Sequence, residues 1–397
     1  MIRAEIVALG RRGEGVAEID GSRVYVPFAL PGEQVAIERA GERGRLVEVL
    51  SPSPDRVVPF CPYFGTCGGC SLQHLAPDNT AGFKRDLVAT ALARAGVDAE
   101  VADTLVVHGK GRRRVTLHAR GGAVGYMRVR SHELVDIAAC PVLVPGLRTR
   151  APAIARACAA AFGDCDVSLT SAANGIDVAV ETVSRTTRRA NIAFDPRLRV
   201  TRITLNGEML LQWTQPEIRI GEASVPLPPA SFLQATEAGE DALGRTALTA
   251  LSGCSEVADL FCGLGPFALR LAPSMRVTAL DADRAAIDAL EMAVRNRSGL
   301  KPVTIGRRDL FSEPLTLHEL VRFDGIVIDP PRAGAQAQME ELARSQVSTI
   351  VSVACDPGTF ARDAAILVAG GYRLGTITPI DQFAFSHHVE MVGVFRK

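Results

Sequence analysis

The sequence lacks an excess of charge of either sign, because 44 Lys and Arg residues balance 44 Asp and Glu residues. This balance excludes a uniformly basic surface, so any contact with a polyanion must be local. No run of about 18 apolar residues occurs, which argues against a membrane-spanning helix. The first residues, MIRAEIVALGRRGEG, also lack the apolar segment and cleavage site of an export signal. These absences predict a cytoplasmic protein with no membrane partner.

The 397 residues are enough for two or three domains. Residues 1–52 alternate short apolar runs with glycine-rich turns, which predicts a small β-barrel. Residues 53–229 begin with a Pro- and Ser-rich linker and are mainly β in character. Residues 230–397 alternate strands and helices, which predicts an α/β domain with a doubly wound parallel sheet. Its ligands belong at the carboxyl ends of the strands.

A glycine turn opens the predicted α/β domain. In ADLFCGLGPFAL, Gly263 and Gly265 lie between a strand and a helix, where glycine lets a ligand approach the backbone and free N–H groups. The next strand, VTALDAD, ends in Asp281, which is placed to bind a ribose. Sites for dinucleotides also combine a glycine turn with an acidic residue at the end of the next strand. The missing third glycine, however, favours a nucleoside such as S-adenosylmethionine over NAD. A tight turn without a ligand is the structural alternative.

Three more residues with reactive side chains lie at the ends of predicted apolar strands: two directly follow a strand and one begins a strand. Asp329 ends the strand in GIVIDPPRAG, and Cys355 ends the strand in VSVACDPG, where a thiol with a lowered pKa can act as a nucleophile. Glu390 opens the last strand in HHVEMVGVF, where burial would suit it to act as a general base. Alone, the cysteine would more often be structural and the glutamate a surface residue.

Two further features lie in the central region. CPYFGTCGGC contains Cys61, Cys67 and Cys70, which in a protein without an export signal predict metal ligands or a catalytic thiol more than disulfides. Residues 108–133 hold seven Lys and Arg residues and one Glu. Contact with RNA phosphates and a solvated surface are both compatible with that excess. The candidate phosphate contacts are Arg112, Arg113, Arg114, Arg128 and Arg130.

Taken together, these motifs resemble the RNA 5-methyluridine methyltransferase family. The closest likeness is to the iron–sulfur 23S ribosomal RNA uracil-5-methyltransferases that carry a TRAM domain. EGVAEIDGSRVYVPFALPGEQV resembles the TRAM module, and CPYFGTCGGCSLQH with DIAACPVL resembles the cluster motif. PPASFLQAT, LFCGLGPF, DPPRAG, VACDPGTFARD and HHVEMV match the catalytic motifs in order. The likeness covers nearly the whole chain.

The resemblance implies a fold, a reaction and roles for individual residues. It implies an N-terminal OB-like TRAM barrel, a β-rich central domain with an iron–sulfur cluster and a Rossmann-like S-adenosylmethionine methyltransferase domain. Cys355 is the implied nucleophile that adds to carbon 6 of uracil, and Glu390 is the implied base that removes the proton from carbon 5. The implied cofactor site contains Gln234, Phe261, Asp281, Asp309 and Asp329. Cys140 is the implied fourth ligand of a 4Fe–4S cluster, although four thiolates also suit zinc.

The expected partner is RNA, with 23S ribosomal RNA favoured and transfer RNA open, and the expected state is a monomer. Two positions depart from the family pattern. Asp356 replaces the usual Asn after the nucleophile, where an extra carboxylate would raise the pKa of the thiol. Pro266 stands where a polar residue is common. In this family, residues corresponding to 77–104 can pack with the catalytic domain. An amino-group or cytosine methyltransferase and a non-catalytic RNA-binding protein are the weaker alternatives.

Overall fold

In the computed structural model, which describes residues 1–184, 192 and 194–397, the amino-terminal strands close into a barrel. The strands run in the order β1-β2-β3-β5-β4, and β1 pairs with β4 to close it. Alternate residues such as Ile6, Val24 and Ile37 fill its core. The closed five-stranded barrel confirms the predicted amino-terminal β-barrel. Its strands are β1 (Ile2–Leu9), β2 (Gly15–Ile19), β3 (Ser22–Val26), β4 (Gln34–Ala40) and β5 (Arg43–Ser51).

Two elements that follow the cysteine-rich segment pack far from their sequence neighbours. Helix α1 (Pro77–Arg94) and the short strand β6 (Leu105–Val106) both lie against the carboxy-terminal sheet. β6 pairs in parallel with residues 378–381 at the edge of that sheet. Lys84 of α1 is fully buried and its Nζ lies 2.5 Å from Oδ1 of Asp381. This ion pair anchors the helix to the sheet.

In the described part of the central region, seven strands form a sheet in the order β13-β12-β11-β10-β7-β8-β9, in which only β11 and β12 run parallel. Helix α2 covers one face and contributes Ile154 and Cys158 to the core. A buried ion pair joins Arg202 to Asp177 at 2.7 Å. The elements are β7 (Arg114–Arg120), β8 (Ala123–Met127), β9 (Leu134–Asp136), α2 (Arg150–Phe162), β10 (Cys165–Ala172), β11 (Gly175–Thr182), β12 (Val200–Leu205) and β13 (Glu208–Gln212). A 3₁₀ turn (Pro196–Leu198) precedes β12.

The carboxy-terminal region begins with a hairpin of β14 (Glu217–Ile220) and β15 (Ala223–Pro226). A nine-stranded sheet follows in the order β18-β17-β16-β19-β20-β23-β22-β6, with β21 paired to β23. Its strands are β16 (Glu256–Leu260), β17 (Arg276–Asp281), β18 (Val303–Arg307), β19 (Gly325–Ile328), β20 (Thr349–Ala354), β21 (Arg373–Leu374), β22 (Thr378–Asp381) and β23 (Glu390–Arg396). Its helices are α3 (Glu237–Ala250), α4 (Ala268–Leu271), α5 (Arg284–Arg295), α6 (Leu317–Leu320), α7 (Gln336–Arg344) and α8 (Pro357–Ala369).

Strands β16 to β20 are parallel to one another, and β23 runs antiparallel to β20. The carboxyl ends of β16, β17, β19 and β20 therefore meet the amino end of β23 at one edge of the sheet, where ligands bind in such folds. No helix in the described part of the chain is long and apolar enough to cross a lipid bilayer.

Candidate active site

In the glycine turn after β16, three alternate residues have left-handed backbone geometry. Phe261, Gly263 and Gly265 have positive φ angles of 61°, 50° and 80°. An added Cβ at Gly265 would lie 2.4 Å from Cδ1 of Leu290, whereas one at Gly263 would meet no atom within 4 Å. Glycine is therefore required at Gly265 by both the backbone and the packing. The open side of Gly263 leaves room for a ligand at the turn.

Two predicted cofactor residues carry carboxylates that the backbone fixes in place. Asp281, at the end of β17, accepts the N–H of Gly263 and the N–H of Asp283, each at 2.8 Å. Asp309, beyond β18, accepts the N–H of Phe311 at 3.0 Å, and this bond holds its pKa below the ordinary value. Asp281 is therefore tied directly to the glycine turn.

An aromatic pair that the sequence did not reveal flanks this region. The rings of Phe261 and Phe311 lie 5.2 Å apart, and Phe311 is half exposed. Phe311 follows Asp309 by two residues, so its position after the third strand of the parallel run was its only signal. A planar base has an aromatic surface to contact here.

A third carboxylate, Asp259, lies fully buried within β16. Its Oδ2 accepts the N–H of Ala268 at 2.8 Å at the start of α4, and its Oδ1 has no partner in the described residues. Burial raises its pKa well above the ordinary value, and the charges of Asp329 and Asp281 add to the shift. Carboxyl groups are therefore crowded at this end of the sheet, and each disfavours the ionised form of its neighbours.

The predicted nucleophile and base lie side by side. Ala354 pairs with Met391 in the antiparallel ladder between β20 and β23, so Cys355, which directly follows β20, takes the position opposite Glu390, the first residue of β23. Glu390 is 4% exposed. Burial raises its pKa to about 8, with a further contribution from Asp329. Glu390 can therefore exchange a proton near neutral pH, as a general base requires.

The thiol of Cys355 is only partly buried. Burial raises its pKa to about 11, and the neighbouring charges of Glu390 and Asp329 act in the same direction. At neutral pH this thiol therefore carries its proton. It forms a thiolate only when its proton is removed or a positive charge enters the cleft.

Gln234 and Gln382 connect the carboxyl groups of Asp329 and Glu390 through hydrogen bonds. Nε2 of Gln234 donates to Oδ2 of Asp329 at 3.1 Å. Burial raises the pKa of Asp329 to about 7, and the bond from Gln234 partly offsets that rise. Nε2 of Gln382 lies 2.6 Å from Oε1 of Gln234 and 3.3 Å from Oε1 of Glu390. Gln382 was not among the sequence candidates, because its partners are distant in sequence or on another strand.

The residue after the nucleophile, Asp356, caps helix α8. Its Oδ1 accepts the N–H groups of Gly358 and Thr359 at 2.8 and 3.2 Å. Oδ2 lies 3.3 Å from Nη2 of Arg332, and Arg11 of the barrel lies 3.9 Å from Oδ1. The expected repulsion of the thiol by this carboxylate is therefore screened, because its charge faces a helix terminus and two cations.

The four predicted metal ligands converge on one cavity that Arg112 and Tyr126 also line. They are Cys61, Cys67, Cys70 and Cys140. All are free thiols, and the hydroxyl of Tyr126 donates to Sγ of Cys140 at 3.6 Å. Among the described residues, however, no group of three or more His, Cys, Asp or Glu side chains is arranged to hold a metal ion. The cavity brings the four thiols together, but their arrangement does not form a site for a single metal ion.

The five predicted phosphate contacts have different environments. Arg113 is 2% exposed and donates to Oε2 of Glu240 at 2.5 Å, so it is an interior ion-pair partner, in contrast to its predicted contact with RNA. Arg114 is partly buried, and loss of solvent lowers its pKa. The remaining three lie near the cysteine cavity or on the surface beside it: Arg112, Arg128 and Arg130.

A larger basic groove, which we call the arginine groove, lies between the barrel, α1 and α8 and has a volume of about 740 Å³. Two glutamates, Glu14 and Glu42, also line it. Its arginines are Arg11, Arg12, Arg23, Arg43, Arg94, Arg130 and Arg362. Only Arg130 was a sequence candidate, because the others come from segments that are distant along the chain. The contact of Arg11 with Asp356 joins this groove to the position beside Cys355.

The doubly wound sheet, the glycine turn after β16 and the acidic end of β17 define a Rossmann-like methyltransferase. Residues 230–397 match the family described as tRNA (uracil-5-)-methyltransferase. An uncharacterized RNA methyltransferase of Agrobacterium fabrum is 42% identical, over 99% of this chain and 98% of its own length. The chain belongs to the RNA uracil-5-methyltransferase family and is an RNA methyltransferase enzyme.

Two further relatives are similar over nearly the whole chain. The 23S rRNA (uracil(1939)-C(5))-methyltransferase RlmD of Chromohalobacter salexigens is 33% identical, over 97% of this chain and 87% of its own length. The tRNA (uracil-54, C5)-methyltransferase of Pyrococcus abyssi, solved with S-adenosyl-L-homocysteine, is 24% identical. It superimposes with a TM-score of 0.78 and covers 99% of this chain and 100% of its own. That likeness supports the methyltransferase fold.

Proposed function

We propose that the protein methylates carbon 5 of a uridine in RNA through a covalent bond between Cys355 and carbon 6 of the base. The observation that carries the proposal is the adjacency of a thiol and a buried carboxyl, Cys355 and Glu390, at the ligand-binding edge of the sheet. Carbon 5 of uracil is a weak nucleophile. Cys355 loses its proton to solvent, and addition of the thiolate to carbon 6 moves the electrons of the bond between carbons 5 and 6 onto carbon 5 as an enolate. Carbon 5 then bonds to the sulfonium methyl group as the methyl–sulfur bond breaks, and S-adenosylhomocysteine leaves.

S-adenosylmethionine supplies the methyl group and carries positive charge at its sulfonium and amino groups. The residues that would hold it are the glycine turn, Asp281 and Asp309, with Gln234 and Asp329 at the reacting end. The acidic lining of the cleft fits a cationic ligand, because the charges of Asp281 and Asp329 act on the buried carboxyl of Asp259, and the charge of Asp329 acts on Glu390. A bound cation also favours the thiolate of Cys355.

After methylation, Glu390 accepts the proton from carbon 5. The electrons of the carbon–hydrogen bond form the bond between carbons 5 and 6, and the bond from carbon 6 to sulfur breaks to release Cys355 as a thiolate. Burial makes Glu390 a stronger base than an exposed carboxylate, which suits it to a weakly acidic carbon. One thiol and one carboxyl therefore suffice for addition and elimination.

Trapping with 5-fluorouridine RNA tests the nucleophile, because fluorine at carbon 5 cannot leave as a proton and the adduct persists. With S-adenosylmethionine present, the wild-type protein should form an RNA adduct that survives denaturing electrophoresis, and Cys355→Ala should form none. Cys158→Ala is the matched control, since Cys158 is a fully buried thiol of α2 in the core of the central sheet, outside the cleft. An adduct with Cys355→Ala, or its loss with Cys158→Ala alone, would refute the assignment.

The arginine groove is the proposed path of the RNA strand toward the cleft. It joins the cleft through Arg11 and Asp356, and it presents more cations than carboxylates to a phosphate backbone. The target base must leave its stack to reach Cys355, as for other enzymes that modify bases.

The proposed substrate is 23S ribosomal RNA, supported by the full-length likeness to RlmD. Mapping 5-methyluridine in ribosomal and transfer RNA from a deletion strain tests this choice. Loss of one 5-methyluridine from 23S ribosomal RNA supports it, and loss from transfer RNA alone replaces it.

The cysteine cavity is proposed to hold a 4Fe–4S cluster. Four thiols of one cavity match the donors of such a cluster, and Nε and Nη2 of Arg112, which lines the same cavity, have no partner in the described residues. Burial raises the pKa of Cys67 to about 11, and the other three thiols add to that shift, a repulsion that a bound metal would remove. Anaerobic reconstitution should yield about four irons and four sulfides per chain. Stoichiometric zinc without iron would refute the cluster.

A further inference from the structure

Gln382 lies at the centre of a hydrogen-bond chain that joins the proposed base to the neighbouring carboxyl. Its Nε2 donates to Oε1 of Gln234 at 2.6 Å and to Oε1 of Glu390 at 3.3 Å. Its Oε1 accepts the N–H of Thr236 at 3.3 Å. Gln234 then donates to Asp329. The orientation of the Gln382 amide is fixed, since its oxygen faces an N–H and its nitrogen faces two oxygens.

The side chain of Gln382 is held rigidly. It is 1% exposed, and a Cβ added to Gly239 of α3 would lie 2.6 Å from its Oε1. The preceding residue, Asp381, is pinned by the buried ammonium of Lys84 at 2.5 Å, and Nε2 of His108 lies 3.0 Å from its other oxygen. The amide therefore reaches Glu390 from a fixed backbone position.

We propose that Gln382 is a positioning residue that holds one oxygen of the Glu390 carboxylate, so that the other oxygen is directed to the proton on carbon 5 of the substrate. This inference rests on the proposed role of Glu390 as the base. A single bond to Oε1 leaves Oε2 as the oxygen free to take the proton. The same bond stabilises the ionised carboxylate against the repulsion from Asp329.

Gln382→Met tests the proposal, because methionine keeps the length of the side chain and removes both N–H donors. Loss of the bond should move the acidic limb of the pH–rate profile up by about one pH unit. At a pH below that limb, the variant should therefore react about tenfold more slowly than the wild type. With ordinary uridine RNA, proton removal becomes slow after methylation, so a methylated RNA–protein adduct should accumulate on denaturing gels.

Two variants separate positioning from a structural effect. Gln338→Met is the matched control, since Gln338 is a fully buried glutamine whose side chain, among the described residues, bonds only the backbone of Leu315. It should lose stability without moving the pH profile. Gly239→Ala leaves every donor of Gln382 in place but crowds its amide, so it should shift the profile in the same direction by a smaller amount. If Gln382→Met does not fold, the pH profile of Gly239→Ala tests the proposal in its place.

The trapping assay distinguishes failure of this inference from failure of the proposed function. The adduct with 5-fluorouridine RNA does not require proton removal, so Gln382→Met should form it as the wild type does. If the wild-type protein forms no adduct with 5-fluorouridine RNA, the proposed function itself is refuted. A folded Gln382→Met protein with a wild-type pH profile and no adduct on ordinary RNA would overturn the positioning role alone.

Discussion

The replacement Glu390→Gln should make the folded protein more stable than the wild type, by an amount that grows as the pH rises, although it removes the proposed base. Burial raises the pKa of Glu390 from 4.5 to about 8 in the folded state. A carboxyl with a raised folded-state pKa contributes its full stability only below the unfolded pKa, near 4.5. That contribution is lost as the pH rises through about 8. The wild type should therefore lose stability over this range, whereas glutamine cannot ionise.

The size of the effect follows from the two pKa values. Each unit of pKa difference corresponds to about 1.36 kcal/mol between the two protonation states. The loss attributable to Glu390 is about 1 kcal/mol at pH 5 and about 4 kcal/mol at pH 7.5, and it levels off above pH 8. The difference in free energy of unfolding between the variant and the wild type, here called the gap, should therefore widen by about 3 kcal/mol between pH 5 and pH 7.5.

Urea unfolding at pH 5, 6.5 and 7.5, followed by circular dichroism, measures the gap. Glu256→Gln is the control, because Glu256 lies at the opposite end of the same sheet, partly exposed and paired with Arg276. Its gap from the wild type should not change with pH by a comparable amount. If the curves for Glu390→Gln and the wild type run parallel over the whole interval, Glu390 does not have a raised pKa and the reasoning is refuted.

Three further changes have defined outcomes. Lys84→Met leaves the buried carboxylate of Asp381 without its ammonium and should lower the free energy of unfolding by about 3–5 kcal/mol, measured in urea. Arg94→Glu in the arginine groove should weaken RNA binding and reduce the slope of log affinity against log salt by roughly 1, whereas Arg276→Glu, at the far end of β17, should leave both unchanged. Gly265→Ala places a side chain at a φ of 80°. It should lower the melting temperature and cost about 1–3 kcal/mol in strain before any clash.

The parallel part of the catalytic sheet could be predicted from the sequence because each strand is a short apolar run with a chemically distinctive residue at its end. Asp281, Asp329 and Cys355 follow such runs, and Glu390 opens the last one. Topology then brings strand ends to one edge, so local patterns were enough to group these residues. The closed amino-terminal barrel followed from strand spacing in the same way.

Side-chain networks that join distant segments could not be predicted in this way. The bond from Gln382 to Gln234 spans 148 residues, and the one from Lys84 to Asp381 spans 297. Nothing in the local pattern around Gln382 distinguishes it from a surface glutamine. The basic stretch at residues 108–133 misled for the same reason, because Arg113 finds its partner Glu240 127 residues away and is buried.

Asp356 shows how a local reading of charge can be reversed by structure. From sequence, a carboxylate directly after Cys355 should raise the pKa of the thiol. In the fold, Asp356 satisfies the first N–H groups of α8 and lies beside Arg332, and these bonds hold its pKa below the ordinary value despite the opposing effect of burial. Its negative charge is therefore balanced within a few ångströms. The groups that raise the pKa of Cys355, after burial itself, are Glu390 and Asp329, and these are the groups that the proposed reaction uses.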